Sequence, residues 1–416
     1  MSDKLQPLRG TKDLLPEAFR VHDYIIKTAQ EIGMLYGYEP MSTPIIEYTK
    51  VFDRTLGSTS DVVSKEMYSF PDKNNESISL RPEFTAGIIR SFISNNLHDK
   101  LPQKFFSYGP LFRYERPQAG RQRQFHQFNF EYLGADLPYS DAETIKLALD
   151  ILVALGLKEY VKLEVNSLGC NESRATYQEK IFTYFNNYKN QLSEDSVRRL
   201  TKNPMRILDS KDEGDKILIQ NAPLVSECYT DSARRYFDSV LNYLDLLNIN
   251  YTINQRIVRG LDYYCHTAFE FTTENIGSQS TLIGGGRYDE LAKIMGGAKT
   301  PAIGFAGGIE RLALMREYKI LAPRPVFIIP IGNESLDSCL VLADLLRQNS
   351  IPTQLYVKSR IDKMLQHALS AGARYIIFMG ADEIASGKYK LKDLDKREEI
   401  LGTFDQVLAL IKPFSK

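Results

Sequence analysis

Two patterns of secondary structure follow one another along this chain, and the change between them constrains the fold more than any other feature. The first half contains short β-type runs that are mostly separated by turn signals, at residues 77–80, 105–108, 127–132 and 163–168. From residue 325 strands alternate with helices, at residues 326–331, 335–347, 353–357, 361–371 and 374–379. The first pattern predicts a largely antiparallel sheet, and the second predicts a parallel or mixed α/β domain with right-handed crossovers.

A long helical stretch interrupts the first pattern. Helical periodicity extends from Glu172 to about Leu247, and β-type sequence resumes at residues 251–258. We interpret this stretch as an insertion. The expected architecture is therefore an α+β domain on an antiparallel sheet over residues 1–322, with the helical insertion at about 172–247, followed after a proline-rich linker by an α/β domain over residues 325–416.

The N-terminal segment predicts a helix and then an edge strand. An amphipathic pattern begins at Pro16 and continues to Ala29, and we expect Gly33 and Gly37 to end the helix. The extended apolar segment that follows, residues 38–47, contains two prolines. Because proline cannot donate a backbone hydrogen bond, this segment suits an edge or interface strand.

Composition excludes several classes of protein. With 43% hydrophobic and 25% charged residues, the chain is neither disordered nor fibrous in type. No apolar stretch approaches the roughly 20 residues that span a bilayer, and the first residues do not resemble a signal peptide, so we expect a cytoplasmic protein. Lysine plus arginine equals aspartate plus glutamate, so contacts with nucleic acid must come from local patches. The four scattered cysteines favour reduced thiols over a zinc site.

Arginine, glycine and aromatic residues are concentrated in a few short motifs. These are RPEFT at 81–85, FRYERP at 112–117, RGLDYY at 259–264, GGGRY at 284–288 and GFAGGIER at 304–311. Taken singly, each is more typical of a solvated loop, a hairpin turn or a surface ion pair. Together they supply arginines that can absorb charge in an in-line transfer at phosphate, with glycines that allow close backbone approach. Neither a P-loop nor the dinucleotide-binding fingerprint occurs.

With these motifs the chain resembles the histidyl-tRNA synthetase family of class II aminoacyl-tRNA synthetases over nearly its whole length. Residues 112–131 resemble class II motif 2, and residues 304–311 resemble motif 3. The resemblance implies two catalytic cations, Arg113 at the α-phosphate of ATP and Arg259 beside it. The residues that it assigns to ATP are Arg113, Glu115, Arg121 and Arg311. It also implies a need for Mg²⁺, whose ligands it leaves open.

A second set of residues concerns histidine as the substrate. An imidazole both donates and accepts a hydrogen bond, so a carboxylate and a phenol are suitable partners. The resemblance places Glu131 and Tyr264 against the imidazole, although each taken alone could be a hydrogen-bonded strand position. The full set that it assigns to histidine is Glu83, Thr85, Gln127, Glu131, Tyr263, Tyr264, Tyr288 and Gly285. The first three match residues that hold the α-ammonium group, and the glycines of 284–286 match a pocket wall.

The same resemblance implies tRNA(His) as the partner and a homodimer as the assembly. Arg116 and Gln118 match residues that read the acceptor end of tRNA, where guanine edges suit such donors. The C-terminal α/β domain resembles an anticodon-binding domain. The segment that contains Pro44 matches the dimer interface of the class. The helical insertion could contact tRNA or simply pack as a helix bundle.

Two other functions compete with this one. One is a catalytically silent paralogue that regulates a phosphoribosyltransferase, which would typically lack the C-terminal domain and have a disrupted motif at 259–264. This chain has the C-terminal domain and an intact motif. A tRNA-binding sensor would be expected to lose Arg113, Arg259 or Arg311, and all three are present. Another class II specificity would share motifs 2 and 3 but not RGLDYY. These features favour a histidine-specific synthetase.

Overall fold

The structure is a computed structural model, and it describes residues 5–56, 62–257, 263–276, 281–358 and 360–411 of the 416-residue chain. The chain divides into two compact units, Met1–Tyr318 and Lys319–Lys416. In the described ranges no helix combines the length and apolar character that crossing a membrane requires.

The first unit combines eleven described strands with ten described α-helices. The strands are β1 (Glu39–Pro40), β2 (Ile46–Tyr48), β3 (Ser69–Pro71), β4 (Ser77–Leu80), β5 (Gln103–Phe112), β6 (Gln124–Leu133), β7 (Lys162–Ser167), β8 (Thr252–Ile253), β9 (Cys265–Thr272), β10 (Thr281–Arg287) and β11 (Ala302–Gly308). The helices are α1 (Pro16–Leu35), α2 (Thr49–Leu56), α3 (Thr85–Ser94), α4 (Pro138–Ala154), α5 (Asn171–Asn187), α6 (Glu194–Lys202), α7 (Glu213–Gln220), α8 (Asp231–Leu246), α9 (Leu291–Ile294) and α10 (Ile309–Leu314).

Eight of these strands form one sheet, in the order β1-β5-β6-β11-β10-β9-β7-β8. Every neighbouring pair is antiparallel except the two at the edges, β1 with β5 and β7 with β8. The predicted antiparallel sheet is therefore confirmed. A separate three-stranded sheet has the order β2-β4-β3, so the proline-containing segment 38–47 contributes an edge strand to each sheet.

Glycines 284–286 lie in the middle of β10 and pair with both β9 and β11. The hairpin-turn interpretation of this motif is therefore wrong. A Cβ on Gly285 would collide with the carbonyl oxygen of Gly304 on the neighbouring strand, so close strand packing, rather than turn geometry, requires glycine there.

Helix α1 is longer than the sequence predicts. It passes through Gly33 and ends at Leu35, and Gly37 follows with a φ of +78°. Glycine is required at position 33 because a Cβ there would approach the ring of Phe130, on β6, to 2.5 Å. The glycine allows the helix to lie close to the sheet, where the buried side chains of α1, α4 and α8 pack against those of the central strands.

The helical insertion is confirmed as helices α5 to α8, with a small core of its own. That core includes Tyr177, Ile181, Phe185, Leu200 and Ile207. Over the described residues 251–257, the sheet resumes with the two residues of β8, fewer than the predicted β-type run at 251–258, whose last residue lies outside the described residues.

The second unit is a mixed α/β fold. Its strands are β12 (Val326–Pro330), β13 (Thr353–Leu355), β14 (Tyr375–Met379), β15 (Tyr389–Asp393) and β16 (Glu398–Gly402), and its helices are α11 (Leu336–Gln348), α12 (Ile361–Ser370), α13 (Ala381–Ser386) and α14 (Phe404–Leu410). The order is β13-β12-β14-β15-β16, with the first three strands parallel and the last two antiparallel. The prediction of a parallel or mixed α/β domain is confirmed, but the sequence did not reveal β15 and β16.

Candidate active site

A cavity of about 400 Å³ opens on one face of the large sheet. Strands β6, β10 and β11 form its floor, and the residues around the start of α3 and α10 form part of its walls. The predicted site residues that line it are Glu83, Thr85, Arg113, Glu115, Arg121, Gln127, Glu131, Tyr263, Tyr264, Tyr288 and Arg311. Residues from five separated stretches of sequence therefore meet in one place.

Three predicted residues lie outside the cavity lining, and a fourth lies outside the described residues. Among the described residues that line the cavity, Gly284 is present and Gly285 is not. Successive residues of a strand face opposite sides, and the Cβ direction of Gly285 points at Phe305 and its backbone. Arg116 and Gln118 are exposed in the loop between β5 and β6, outside the cavity lining. Arg259 lies outside the described residues.

One part of the cavity is built around the carboxyl group of Glu131, and we call it the carboxylate cluster: Glu83, Thr85, Glu131 and Tyr288. Glu131 is only 1% exposed. It accepts a hydrogen bond from the Thr85 hydroxyl (2.5 Å) and another from the Tyr288 hydroxyl. Burial raises the pKa of Glu131 to about 7, although both hydrogen bonds oppose the shift.

Glu83 fixes the position of Thr85. Its carboxylate accepts the backbone N–H groups of Thr85 (2.5 Å) and Ala86 (2.8 Å), the first two residues of α3. The first backbone N–H groups of a helix have no partner within that helix, so the Glu83 carboxylate caps the N-terminus of α3. Burial raises the pKa of Glu83 despite these bonds. The cap holds the Thr85 hydroxyl against Glu131.

Small and aromatic residues complete this part of the cavity. Gly304 is the register partner of Glu131, and a Cβ on it would collide with the Glu131 carboxylate. The rings of Tyr263, Tyr264 and Tyr288 pack against one another with centroids 4.7 to 6.4 Å apart. The result is a buried slot with a carboxyl group at its base and phenol rings at its sides.

The second part of the cavity is cationic, and we call it the guanidinium cluster: Arg113, Glu115, Arg121 and Arg311. Arg113 donates through Nε to the carbonyl of Pro82 (3.0 Å), and its guanidinium lies 5.3 Å from the centre of the Phe125 ring. Arg121 forms an ion pair with Glu115. These contacts orient two cations at the cavity wall.

Arg311 is held by backbone carbonyls from two other segments. It donates through Nη1 to Thr281 (2.7 Å) and through Nε to Gly120 (3.4 Å). Its pKa is lowered by burial first and then by the charges of Arg121 and Arg113. Because several cations repel one another here, a polyanion bound among them would be favoured electrostatically.

Several lining residues were missed from the sequence. Phe125, Asn129, Glu270 and Thr281 also line the cavity. The first two share β6 with Gln127 and Glu131, so alternation along a strand could have found Phe125 and Asn129. No signal in the sequence pointed to Glu270 or Thr281, which meet across β9 and β10, with the Thr281 hydroxyl donating to Glu270 (2.8 Å).

His126 lies at the edge of the site, between the lining residues Phe125 and Gln127. In the described part of the chain, one group of three possible metal ligands occurs, with donor atoms of His22, His126 and Glu310 within 4.8 Å of one another. The Glu310 carboxylate already accepts hydrogen bonds from His126. Hydrogen bonds therefore join two of these three residues, and His22 contributes a ring contact with His126.

Comparison with protein families matches this architecture. A family model described as histidyl-tRNA synthetase matches residues 10–312. The chain belongs to the histidyl-tRNA synthetase family. A model described as an anticodon binding domain matches residues 325–413, which correspond to the second unit.

Individual relatives of the family are similar over the full length. Histidine–tRNA ligases of Rickettsia felis and Rickettsia bellii are 60% and 59% identical over 415 and 413 residues, covering 100% and 99% of this chain and 100% of each relative. The crystal structure of apo Staphylococcus aureus histidyl-tRNA synthetase has a TM-score of 0.83 and 33% identity, and the match covers 98% of this chain and 99% of that one. The predicted class II fold with a C-terminal anticodon-binding domain is therefore confirmed.

Proposed function

We propose that the chain attaches L-histidine to tRNA(His) at the expense of ATP, through a histidyl-adenylate intermediate. The observation that carries this proposal is the single cavity in which a buried carboxyl slot adjoins a group of arginines. One part suits a small ligand that donates and accepts hydrogen bonds, and the other suits a triphosphate. Family membership supports the same conclusion.

In the first part of the cavity, histidine enters the carboxylate cluster. Glu131 and Tyr264 contact the imidazole nitrogens, while Glu83, Thr85 and Gln127 hold the α-ammonium group. An imidazole N–H gives the buried Glu131 carboxylate a further donor, which offsets part of the cost of ionising it. An amino acid without those nitrogens would leave Glu131 without that donor, at a large cost in free energy.

In the second part, ATP binds to the guanidinium cluster with Mg²⁺ as part of the substrate. A histidine carboxylate oxygen attacks the α-phosphorus, forming an O–P bond as the bond to diphosphate breaks. Arg113 and Arg259 absorb charge at the α-phosphate, and Arg311, Glu115 and Arg121 contact the nucleotide. The carboxylates of Glu115 and Glu270 line the cavity and are oxygen donors of the kind that Mg²⁺ prefers.

In the second step the ribose hydroxyl at the 3′ end of tRNA attacks the adenylate carbonyl, and AMP leaves. The phosphate of the adenylate accepts the proton, so no protein base is required. The exposed Arg116 and Gln118 are placed where a large ligand can reach them, which supports a role at the tRNA acceptor end. The second unit binds the anticodon.

A homodimer is the proposed assembly. The residues around Pro44 and the small β2-β4-β3 sheet expose several large apolar side chains, among them Ile45, Ile46, Tyr48 and Phe70. Apolar residues of this size, clustered in one short stretch and the sheet beside it, are typical of an interface. Light scattering in solution tests it, and a monomer at micromolar concentration would contradict it. Cytoplasmic location remains a prediction from the sequence.

Exchange of labelled diphosphate into ATP tests the proposed function. We expect exchange that requires both histidine and Mg²⁺, and transfer of labelled histidine to tRNA(His) transcript. The other proteinogenic amino acids serve as matched controls. Failure of histidine to support exchange, with ATP binding intact, would contradict the proposal.

A further inference from the structure

Strands β6 and β11 stop pairing at Gln127 and Gly308, but the contact between their segments continues through a side chain. The next backbone N–H of β6 belongs to His126. Both carboxylate oxygens of Glu310 accept it, at 3.0 and 2.9 Å. Glu310 is the second residue of α10, directly after β11. A carboxylate therefore takes the place that a strand carbonyl would have occupied.

The imidazole of His126 adds a second contact to the same carboxylate. Its Nδ1 lies 2.8 Å from Glu310 Oε1. Burial by itself would raise the pKa of Glu310, which is 8% exposed, but the hydrogen bonds from the His126 side chain and backbone outweigh burial and the pKa is lowered. Glu310 is therefore ionised, and hydrogen bonds to an ionised acceptor are stronger than neutral ones.

A third residue excludes solvent from this contact. His22 of α1 packs its ring edge-on against His126, with centroids 5.5 Å apart, and is 5% exposed. Burial, its largest influence, lowers the pKa of His22, so the ring is a neutral packing partner near pH 7. Low local polarity strengthens the bonds of Glu310.

The chain neighbours of these two residues belong to the cavity. Arg311 follows Glu310, and both Phe125 and Gln127 flank His126 and line the cavity. We propose that Glu310 is a positioning residue: by clamping His126 it sets the angle at which α10 leaves β11, and so places Arg311 relative to Phe125. The inference rests on the proposed function, in which Arg311 contacts ATP. Glu310 also lines the cavity, and His126→Ala separates positioning from direct contact with ATP because it leaves the Glu310 carboxylate in place.

Substitutions at the two ends of the clamp test this role. Glu310→Ala removes all three contacts, Glu310→Gln keeps one acceptor oxygen, and His126→Ala keeps the backbone N–H and loses only the imidazole. We expect the KM for ATP in diphosphate exchange to rise in the order His126→Ala, Glu310→Gln, Glu310→Ala, reaching about 10-fold or more in the last. The KM for histidine should stay within about twofold.

Glu290→Gln is the matched control, because Glu290 pairs only with Lys299 among the ion pairs of the described residues and lies outside the cavity lining. Equal increases in both KM values, or none, would overturn the inference. If Glu310→Ala does not fold by circular dichroism, Glu310→Gln and His126→Ala decide the question. Calorimetric titration of wild type and of each variant with ATP distinguishes the two proposals. Wild-type protein that binds ATP without catalysing diphosphate exchange contradicts the proposed function alone. Unchanged ATP affinity in the variants contradicts the positioning role of Glu310 alone.

Discussion

The carboxylate cluster and the guanidinium cluster share one cavity but are built on opposite principles. In the first, the polar atoms are buried and bonded to one another, as Glu131 is by Thr85 and Tyr288. In the second, cations lie close together, and burial first and then the charges of Arg121 and Arg113 lower the pKa of Arg311. The first cluster discriminates by a few specific hydrogen bonds, whereas the second attracts by summed charge. Loss of the Glu131 carboxylate, the acceptor that Thr85 and Tyr288 share, should therefore be severe, whereas loss of one cation from the second cluster should have a graded effect.

The largest effect is expected from Glu131→Gln. The amide places N–H donors where Thr85, Tyr288 and an imidazole all need acceptors, so at least one buried donor is left unsatisfied. We expect the KM for histidine in diphosphate exchange to rise about 1,000-fold. The KM for ATP should change less than about threefold. Equal increases in the KM for histidine and the KM for ATP would show that the two clusters do not act on separate substrates.

Glu131 also makes stability depend on pH in a way that the guanidinium cluster cannot. Its folded pKa of about 7 lies above its ordinary value of 4.5. A carboxyl group whose pKa is raised by folding contributes its full stabilisation below pH 4.5, and that contribution is lost as the pH rises through 7. The free energy of unfolding, measured with urea, should fall by up to about 3 kcal/mol from pH 5 to pH 8 relative to Glu131→Gln. Parallel pH profiles for the two proteins would contradict the raised pKa.

Arg311→Gln should have a smaller and more selective effect. Removing one of several cations leaves the others to attract phosphate, so we expect the KM for ATP to rise about 10- to 30-fold, with histidine binding unchanged. Higher salt should narrow the difference between variant and wild type. Arg316→Gln, an exposed cation shortly after it, is the control. A similar loss in Arg316→Gln would indicate general electrostatic attraction instead of a specific contact.

Both clusters contain residues that the sequence marks by type and local pattern. Glu83, Arg113 and Arg311 belong to the short motifs at 81–85, 112–117 and 304–311, so their chemistry is recognisable in the linear chain. The role of Glu131 came from the family resemblance. The antiparallel sheet and the helical insertion followed from periodicity alone. What a linear pattern predicts well is the local conformation and the chemistry that each segment carries.

Contacts between distant segments account for what the sequence did not reveal. Gly33 lies inside a helix, and the ring of Phe130, 97 positions later, occupies the space that a side chain at position 33 would need. Glu310 and His126 are 184 positions apart, and neither carries a motif that indicates the other. Gly284 rather than Gly285 lines the cavity, because the pairing of β10 with β9 and β11 determines which of its residues face the cavity. Such contacts depend on tertiary packing.

The smallest effect is expected from Tyr288→Phe, which removes one donor to Glu131 and keeps the ring. The remaining bond from Thr85 holds the carboxyl group, so the KM for histidine should rise only about 5-fold, the equivalent of one hydrogen bond of about 1 kcal/mol. Because the Tyr288 bond lowers the pKa of Glu131, its loss should also move the pH dependence of unfolding to higher pH. Tyr243→Phe, on an exposed face of α8, controls for loss of a hydroxyl. If only the KM changed and the pH profile stayed fixed, Tyr288 would contact histidine directly and would not act through Glu131.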